Sequence, residues 1–293
     1  MQVFFLYASL VLIWGSTWIA ITYQLGPVAD EVSVSYRFAI ASIALFLYAL
    51  FAGKRIALPL RQYGMVIVQG LFLFSLNYIV VYSAAHFITS GLIAVCFSLI
   101  IVFNSFFERL FFGASVEPRF ILATLLGIAG ISLVFWPEVE RLSGNDSALL
   151  GVLFCVLSVL AASLGNMAAL FNLRRSLPVI SLNAHAMAWG AAASALAAIG
   201  LGRPFDFSLE SGYVISLAYL SIFGSAIAFG CMLALMRRIG AARTAYSSVL
   251  FPIVALTIST IFENYQWTKA SVAGVILALI GNWLALTQKN KPV

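Results

Sequence analysis

Aromatic rings and small polar groups lie together in the second half of a long apolar segment, residues 63–82. Phe74, Tyr78 and Tyr82 follow one another at intervals of four residues, and Asn77 lies beside them. Residues four apart share one face of a helix, so the two tyrosines could offer rings for stacking and hydroxyls for orienting a small molecule. The same residues could instead form an aromatic belt at a membrane surface. We favour a binding cavity and leave the belt open.

Similar groups occur inside other apolar segments. Trp14 and Thr17 flank Gly15, where the missing side chain permits close helix packing, so cavity lining and packing both remain open. Asn166 follows Gly165, and its amide needs a partner, either a ligand or another helix. The candidate binding residues are Trp14, Thr17, Asn77, Tyr78, Tyr82, Asn166, Trp189, Tyr246, Ser247 and Trp283.

Two of these candidates lie before a proline. Tyr246 and Ser247 precede Pro252, which removes one helical hydrogen bond and frees a carbonyl oxygen. That oxygen could hold an ammonium group, or water and hydroxyls could satisfy it. Trp189 follows His185 in an alanine-rich segment that is typical of tight helix packing. We interpret His185 as a structural residue.

Arg37 is the only basic residue well inside an apolar segment. It could capture the carboxylate of a ligand, or it could pair with Glu31 or Glu263 near one face. A charge in such a segment is costly unless it is paired or reaches the surface. We therefore expect a structural ion pair or a side chain that extends to the interface.

Catalytic chemistry is not indicated. The chain has no H-E-x-x-H motif, and His86 and His185 fall near opposite faces, which disfavours a shared catalytic pair. Its three cysteines are far apart in apolar segments and lack metal-ligand spacing. We expect no catalytic residue, no metal site and no cofactor.

The elements that must position these residues are membrane helices. The chain is 63% hydrophobic and 9% charged, with a mean hydropathy of +1.05, whereas soluble domains carry about 25% charged residues. A spanning helix needs about 20 apolar residues. The predicted fold is therefore an all-α integral membrane protein with ten transmembrane helices. They cover 3–23, 33–52, 63–82, 87–107, 120–136, 148–170, 179–200, 212–236, 244–262 and 269–287.

Basic residues predict the orientation. With the N-terminus in the cytoplasm, twelve of the sixteen lysines and arginines fall inside and three outside, as the positive-inside rule requires. Both termini are then cytoplasmic, in a plasma or bacterial inner membrane. Because topology accounts for the net charge of +6, no nucleic-acid partner is expected. The inside residues are Lys54, Arg55, Arg61, Arg109, Arg119, Arg174, Arg175, Arg237, Arg238, Arg243, Lys289 and Lys291.

Five segments lie on either side of the loop at 143–147. An odd number in each half inserts the second half upside down, which is the inverted-repeat arrangement of many secondary transporters. We predict repeats at 1–142 and 143–293. Phe107-Glu108 and Phe262-Glu263 end matching segments of the two halves, and Gly15 corresponds to Gly165.

The whole chain resembles the drug/metabolite transporter superfamily, in its ten-helix EamA-like branch. The residues that carry the resemblance are Leu12-Ile13-Trp14-Gly15-Ser16, Tyr36-Arg37-Phe38, the runs 84–108 and 240–263 with Pro252, and the glycines that end each half. The resemblance implies a secondary transporter that moves small metabolites by alternating access. Within the branch the chain is most similar to bacterial amino acid exporters, including those for aromatic amino acids.

A channel and an intramembrane enzyme are the alternatives to a carrier. A channel would favour a repeated ring of pore-lining residues, and the sequence contains none. The expected partners are a small-molecule substrate and the lipid bilayer, and a monomer is plausible. Because no carboxylate falls at mid-depth, a buried proton relay is not indicated, and we expect facilitated transport down a gradient or a coupling that the sequence does not reveal.

Overall fold

A computed structural model describes residues 2–88, 93, 96–97, 99–115, 118–134, 136, 146–262 and 267–286. Within these ranges the regular secondary structure is helical and forms ten membrane helices in two five-helix repeats, the second inverted. The first half contains α1 (Gln2–Thr22), α2 (Asp30–Phe51), α3 (Leu60–Ala85), α4 (Ile100–Phe112) and α5 (Pro118–Val134). The second half contains α6 (Asp146–Arg174), α7 (Val179–Gly200), α8 (Ser211–Ile239), α9 (241–262) and α10 (Lys269–Leu286). The predicted boundary at 142/143 lies outside the described residues.

The outer surface of the bundle is apolar. Five helices of the described ranges are long and apolar enough to cross a bilayer: α1, α2, α3, α8 and the Leu149–Arg174 part of α6. Large hydrophobic side chains such as Leu12, Phe51 and Ile215 are exposed on them. Such a surface needs lipid around it, since exposed apolar area is unfavourable in water.

Small residues hold the two halves together. A β-carbon placed on Gly130 of α5 would lie 2.5 Å from the carbonyl oxygen of Gly274 in α10, and the reverse distance is also 2.5 Å. A β-carbon on Gly70 of α3 would lie 2.5 Å from the carbonyl oxygen of Ala186 in α7. In lipid, close backbone packing of this kind drives helix association, so glycines fix which helices meet across the halves.

Two helices change to π-helical geometry at matching places. The irregular segments are Phe72–Leu76 in α3 and Ile222–Ile227 in α8, and each interrupts the third helix of its half. Ser75 and Ser225 are separated by the same 150 positions as Gly15 and Gly165. Because π-helical turns are frequent at functional sites, both segments mark places to search for one.

Several helix boundaries differ from the sequence prediction by three residues or more. Leu110-Phe111-Phe112, expected to lie in a loop, belongs to α4, which ends only at the left-handed Gly113 with φ 66°. Helix α2 begins earlier, at Asp30, and its first turn contains two acidic residues, which favour a helix N-terminus. Helix α9 is not continuous: Ala241–Ala245 and Phe251–Phe262 flank a 3₁₀ turn, Tyr246–Val249. Pro252 disfavours a regular turn there because it cannot donate to the residue four positions earlier.

Candidate functional site

A cavity of about 90 Å³ lies between the two halves. Helices α1, α2, α3 and α4 of the first half and α6, α8 and α9 of the second contribute to its wall. This volume holds several water molecules. Six of the predicted binding residues line it, namely Trp14, Thr17, Asn77, Tyr78, Asn166 and Ser247.

Aromatic rings form much of the wall. Trp14 packs edge-on against Phe229 at 4.9 Å and against Phe251 at 5.5 Å between ring centroids. The indole nitrogen of Trp14 donates to the carbonyl oxygen of Gly224, 2.9 Å away in the π-helical segment of α8. Helices α1, α8 and α9 are thereby joined around a rigid apolar surface that suits an aromatic or aliphatic solute.

Amides and hydroxyls form a polar part of the wall. The hydroxyl of Ser163 donates to Oδ1 of Asn104 at 2.6 Å, and Nδ2 of Asn166 donates to the same oxygen at 3.4 Å. Oδ1 of Asn166 and Oγ of Ser248 have no hydrogen-bond partner among the described residues. Buried acceptors are costly without a donor, so this region suits a solute that donates hydrogen bonds.

A second, smaller cavity of about 30 Å³ adjoins the first and shares Trp18, Ile21 and Val81 with it. It extends towards the ends of α1 and α3 at Thr22 and Ala85. Trp18 packs against Phe97 with ring centroids 5.5 Å apart. These side chains narrow the route from the larger cavity towards that face of the bundle.

Arg37 contributes a positive charge to the larger cavity. Its side chain is buried, with the residue 1% exposed, so the expected extension to the interface is wrong. Nε of Arg37 donates to Oγ of Ser225 at 2.9 Å. Glu31, one expected partner, instead lies 3.8 Å from Arg203. The other, Glu263, lies outside the described residues.

Four predicted residues lie away from the cavity. Tyr82 is fully buried behind it. Tyr246 is also buried, and its hydroxyl joins α9 to α5 through Thr124 at 2.8 Å and the carbonyl oxygen of Phe120 at 3.2 Å. Trp189 is 41% exposed and Trp283 62% exposed, on the outside of the bundle. The sequence reveals that an aromatic residue is in a helix, but not which way it faces.

The prediction missed several lining residues. Asn104 had the signal that selected Asn77 and Asn166, an amide within an apolar segment. Thr244 and Ser248 line the cavity beside Ser247. Phe229 had no such signal, because phenylalanine is frequent throughout the chain. His185 agrees with its structural interpretation, since its ring nitrogens lie 3.2 Å from the Tyr63 hydroxyl and 3.1 Å from the carbonyl oxygen of Ile56.

The sequence is similar to those of known membrane transporters. The model of the EamA-like transporter family matches the chain twice, over residues 2–136 and 149–287. Protein PagO of Salmonella typhimurium is 22% identical over 290 residues, which cover 98% of this chain and 94% of that protein. YedA of Escherichia coli, named as an uncharacterised inner membrane transporter, is 25% identical over 285 residues, covering 94% and 90%.

The fold also matches a solved structure. A protein crystal structure aligns with a TM-score of 0.79 at 18% sequence identity, covering 96% of this chain and 95% of that one. Identity at this level supports a common fold and carries no information on the solute. The two family matches correspond to the two groups of five helices.

Proposed function

Because the chain belongs to the EamA-like transporter family, we propose that it exports amino acids by alternating access, with aromatic amino acids favoured. It is a multi-pass membrane transporter and not an enzyme. The observation that supports the finer proposal is the cavity between the halves, which combines aromatic walls, amides and a buried positive charge. An amino acid with an apolar side chain offers complementary groups.

Contacts at the two ends of the cavity are consistent with alternating access. At one end, Oε2 of Glu108 in α4 accepts a hydrogen bond from the backbone nitrogen of Ala242 in α9, 2.9 Å away. Towards the other end lie Trp18 and Phe97. A carrier must open one end at a time, and we expect these two contacts to break in opposite states. The basic loops support cytoplasmic termini and a bacterial inner membrane location.

Counterflow in proteoliposomes tests the proposed function. We expect trans-stimulated uptake of labelled L-tryptophan, L-phenylalanine and L-tyrosine, and weaker uptake of L-leucine and L-lysine. Counterflow also separates a carrier from a channel, because a channel has no obligatory exchange. Failure of every amino acid to exchange contradicts the proposed substrate class.

Two matched variants connect transport to the cavity. Trp14→Phe removes the indole donor from the cavity wall, whereas Trp283→Phe makes the same change on the outer surface. We expect slower counterflow only for Trp14→Phe. Equal loss in both variants would mean that the cavity does not contain the transport pathway.

Proton coupling can be tested in the same vesicles. Acidic side chains are absent from the described wall of the cavity, and buried proton relays usually use Asp, Glu or His. We expect uptake down a substrate gradient without an imposed pH gradient. Strict dependence on a proton gradient would contradict this mechanism.

A further inference from the structure

We propose that Arg37 binds the carboxylate of the transported solute and makes the protein selective for solutes that carry one. The inference rests on the proposed transport function and its cavity. It does not depend on which amino acid is favoured. A buried guanidinium that faces a solute cavity determines specificity, because only an anionic solute can compensate its charge.

The hydrogen bonds of Arg37 are incomplete within the described structure. A guanidinium has five N–H donors, and Nε uses one of them on Ser225 at 2.9 Å. Nη1 is buried without a hydrogen-bond partner among the described residues. Tyr78 and Tyr82 provide partial compensation: the ring centroid of Tyr78 lies 4.5 Å from the guanidinium carbon, and both tyrosine side chains interact with Arg37. A neutral ring does not neutralise the positive charge, so the site can still bind an anion.

The described carboxylates nearest along α2 already have other partners. Asp30 lies 3.0 Å from His86, and Glu31 lies 3.8 Å from Arg203. Arg37 is six residues beyond Glu31, about 9 Å along the helix axis. Acidic residues are absent from the described cavity wall. A ligand carboxylate would supply the missing charge, and its two oxygens match the planar fork of a guanidinium.

The π-helical segment of α8 makes room for this arrangement. A β-carbon on Gly224 would lie 3.4 Å from Nη2 of Arg37 and 3.0 Å from Cγ2 of Thr17. The next residue, Ser225, accepts from Nε. The ring of Phe229, one turn further along α8, lies 6.4 Å from that of Tyr78. A solute held at Arg37 would therefore place its apolar part against aromatic rings.

Thermal stabilisation of the purified full-length protein in detergent tests the inference. The probes are L-phenylalanine and 3-phenylpropionate, which contain a carboxylate, and L-phenylalaninamide and phenethylamine, which do not. We expect the two carboxylates to raise the melting temperature and the amide and amine to have little effect. Acetate, L-leucine and succinate with their amides extend the comparison to other solutes.

Three variants assign the effect to Arg37. Arg37→Met removes the charge, Arg37→Lys keeps it without the fork, and Arg203→Met removes an arginine outside the cavity. We expect Arg37→Met to melt, without ligand, at or above the wild-type temperature, because an incompletely paired buried charge is gone. Its half-saturating concentration for carboxylates should rise about tenfold or more, since the charge-assisted hydrogen bonds are lost. Arg37→Lys should keep part of the response, and Arg203→Met all of it.

Each outcome decides between a binding and a structural role. Equal stabilisation by every acid and its amide overturns the inference, and so does an unchanged carboxylate response in Arg37→Met. Loss of folding in both Arg37 variants would show a structural role for the charge, which also overturns it. If 3-phenylpropionate stabilises the wild type and L-phenylalanine does not, amino acid export is wrong while the role of Arg37 stands.

Discussion

The π-helical segments of α3 and α8 occupy corresponding places in the two halves but have different neighbours. In α3 the segment is pressed between two helices of the second half: β-carbons on Gly165 and Gly190 would lie 2.7 Å from Cβ of Leu73 and 2.5 Å from Cβ of Phe74. In α8 the segment presents the carbonyl oxygen of Gly224 to Trp14. The α3 segment is tightly packed and contributes Leu73 to the cavity wall, whereas the α8 segment lies behind the wall and bonds two lining residues, Trp14 and Arg37.

Their serines show the same difference. Ser194 of α7 donates to Ser75 at 2.8 Å, whereas Arg37 of α2 donates to Ser225 at 2.9 Å. Each serine thus contacts the second helix of the opposite half. The first pair consists of two neutral hydroxyls, and the second includes a charge. An inverted repeat therefore does not make its two copies equivalent: both irregular segments contact the other half, but the segment of α8 contacts a charged side chain.

The packing role of the α3 segment predicts the largest effect on stability. In Gly190→Ala, the new methyl group would approach Cβ of Phe74 at 2.5 Å and the carbonyl oxygen of Gly70 at 3.0 Å. Overpacking of this kind costs about 1–3 kcal/mol or more, so we expect a clear fall in melting temperature and in the yield of folded protein. Gly200→Ala, in the same helix with open space around it, is the matched control and should retain the wild-type melting temperature. Similar melting temperatures for both variants would contradict tight packing between the α3 segment and α7.

The polar role of the α8 segment predicts a larger effect on transport than on stability. In Gly224→Ala, the methyl group would lie 3.0 Å from Cγ2 of Thr17 and 3.4 Å from Nη2 of Arg37, so these two side chains must shift slightly. We expect a folded protein whose KM for the transported solute rises about tenfold, because a displaced binding group loses much of its effect. Gly230→Ala, in the same helix with nothing within 4 Å, should transport normally. If Gly224→Ala transports normally but has a lower melting temperature, the α8 segment has a packing role like that of α3, and the expected difference is contradicted.

Much of the fold could be predicted from sequence because lipid imposes it. A backbone in hydrocarbon must satisfy its hydrogen bonds internally, so apolar segments of sufficient length indicate helices. The helix ends were less predictable, because hydropathy indicates which residues can lie in the membrane and not the residue at which a helix ends. Helix α4 passes through Leu110-Phe111-Phe112 to Gly113 for this reason. The π-helical segments had no sequence signal, since they depend on packing against another half.

The candidate site could be predicted only in part. Asn77 and Asn166 were found because an amide in an apolar segment needs a partner, and both line the cavity. Trp189 was selected on the same grounds as Trp14 but lies on the outside of the bundle. The direction in which a helical side chain points depends on tertiary packing, which the sequence does not show. Arg37 was interpreted as a structural residue since Glu31 is near in sequence. Its actual partner, Ser225, is brought there by a helix of the other half.

The two serines give the smallest and most direct test of the difference between the segments. Ser75→Ala and Ser225→Ala remove the same hydroxyl from equivalent places, and each leaves a buried donor without its acceptor. We expect Ser75→Ala to lower stability by about 1 kcal/mol, and Ser225→Ala by somewhat more because its hydrogen bond includes a charge. Only Ser225→Ala should raise the KM for transport, by a few-fold, because Arg37 loses one of its positioning contacts. Adding Ser194→Ala to Ser75→Ala should restore most of the lost stability, since no donor then remains unpaired. Equal KM values in the two single variants would show that the α8 segment is a packing surface like that of α3.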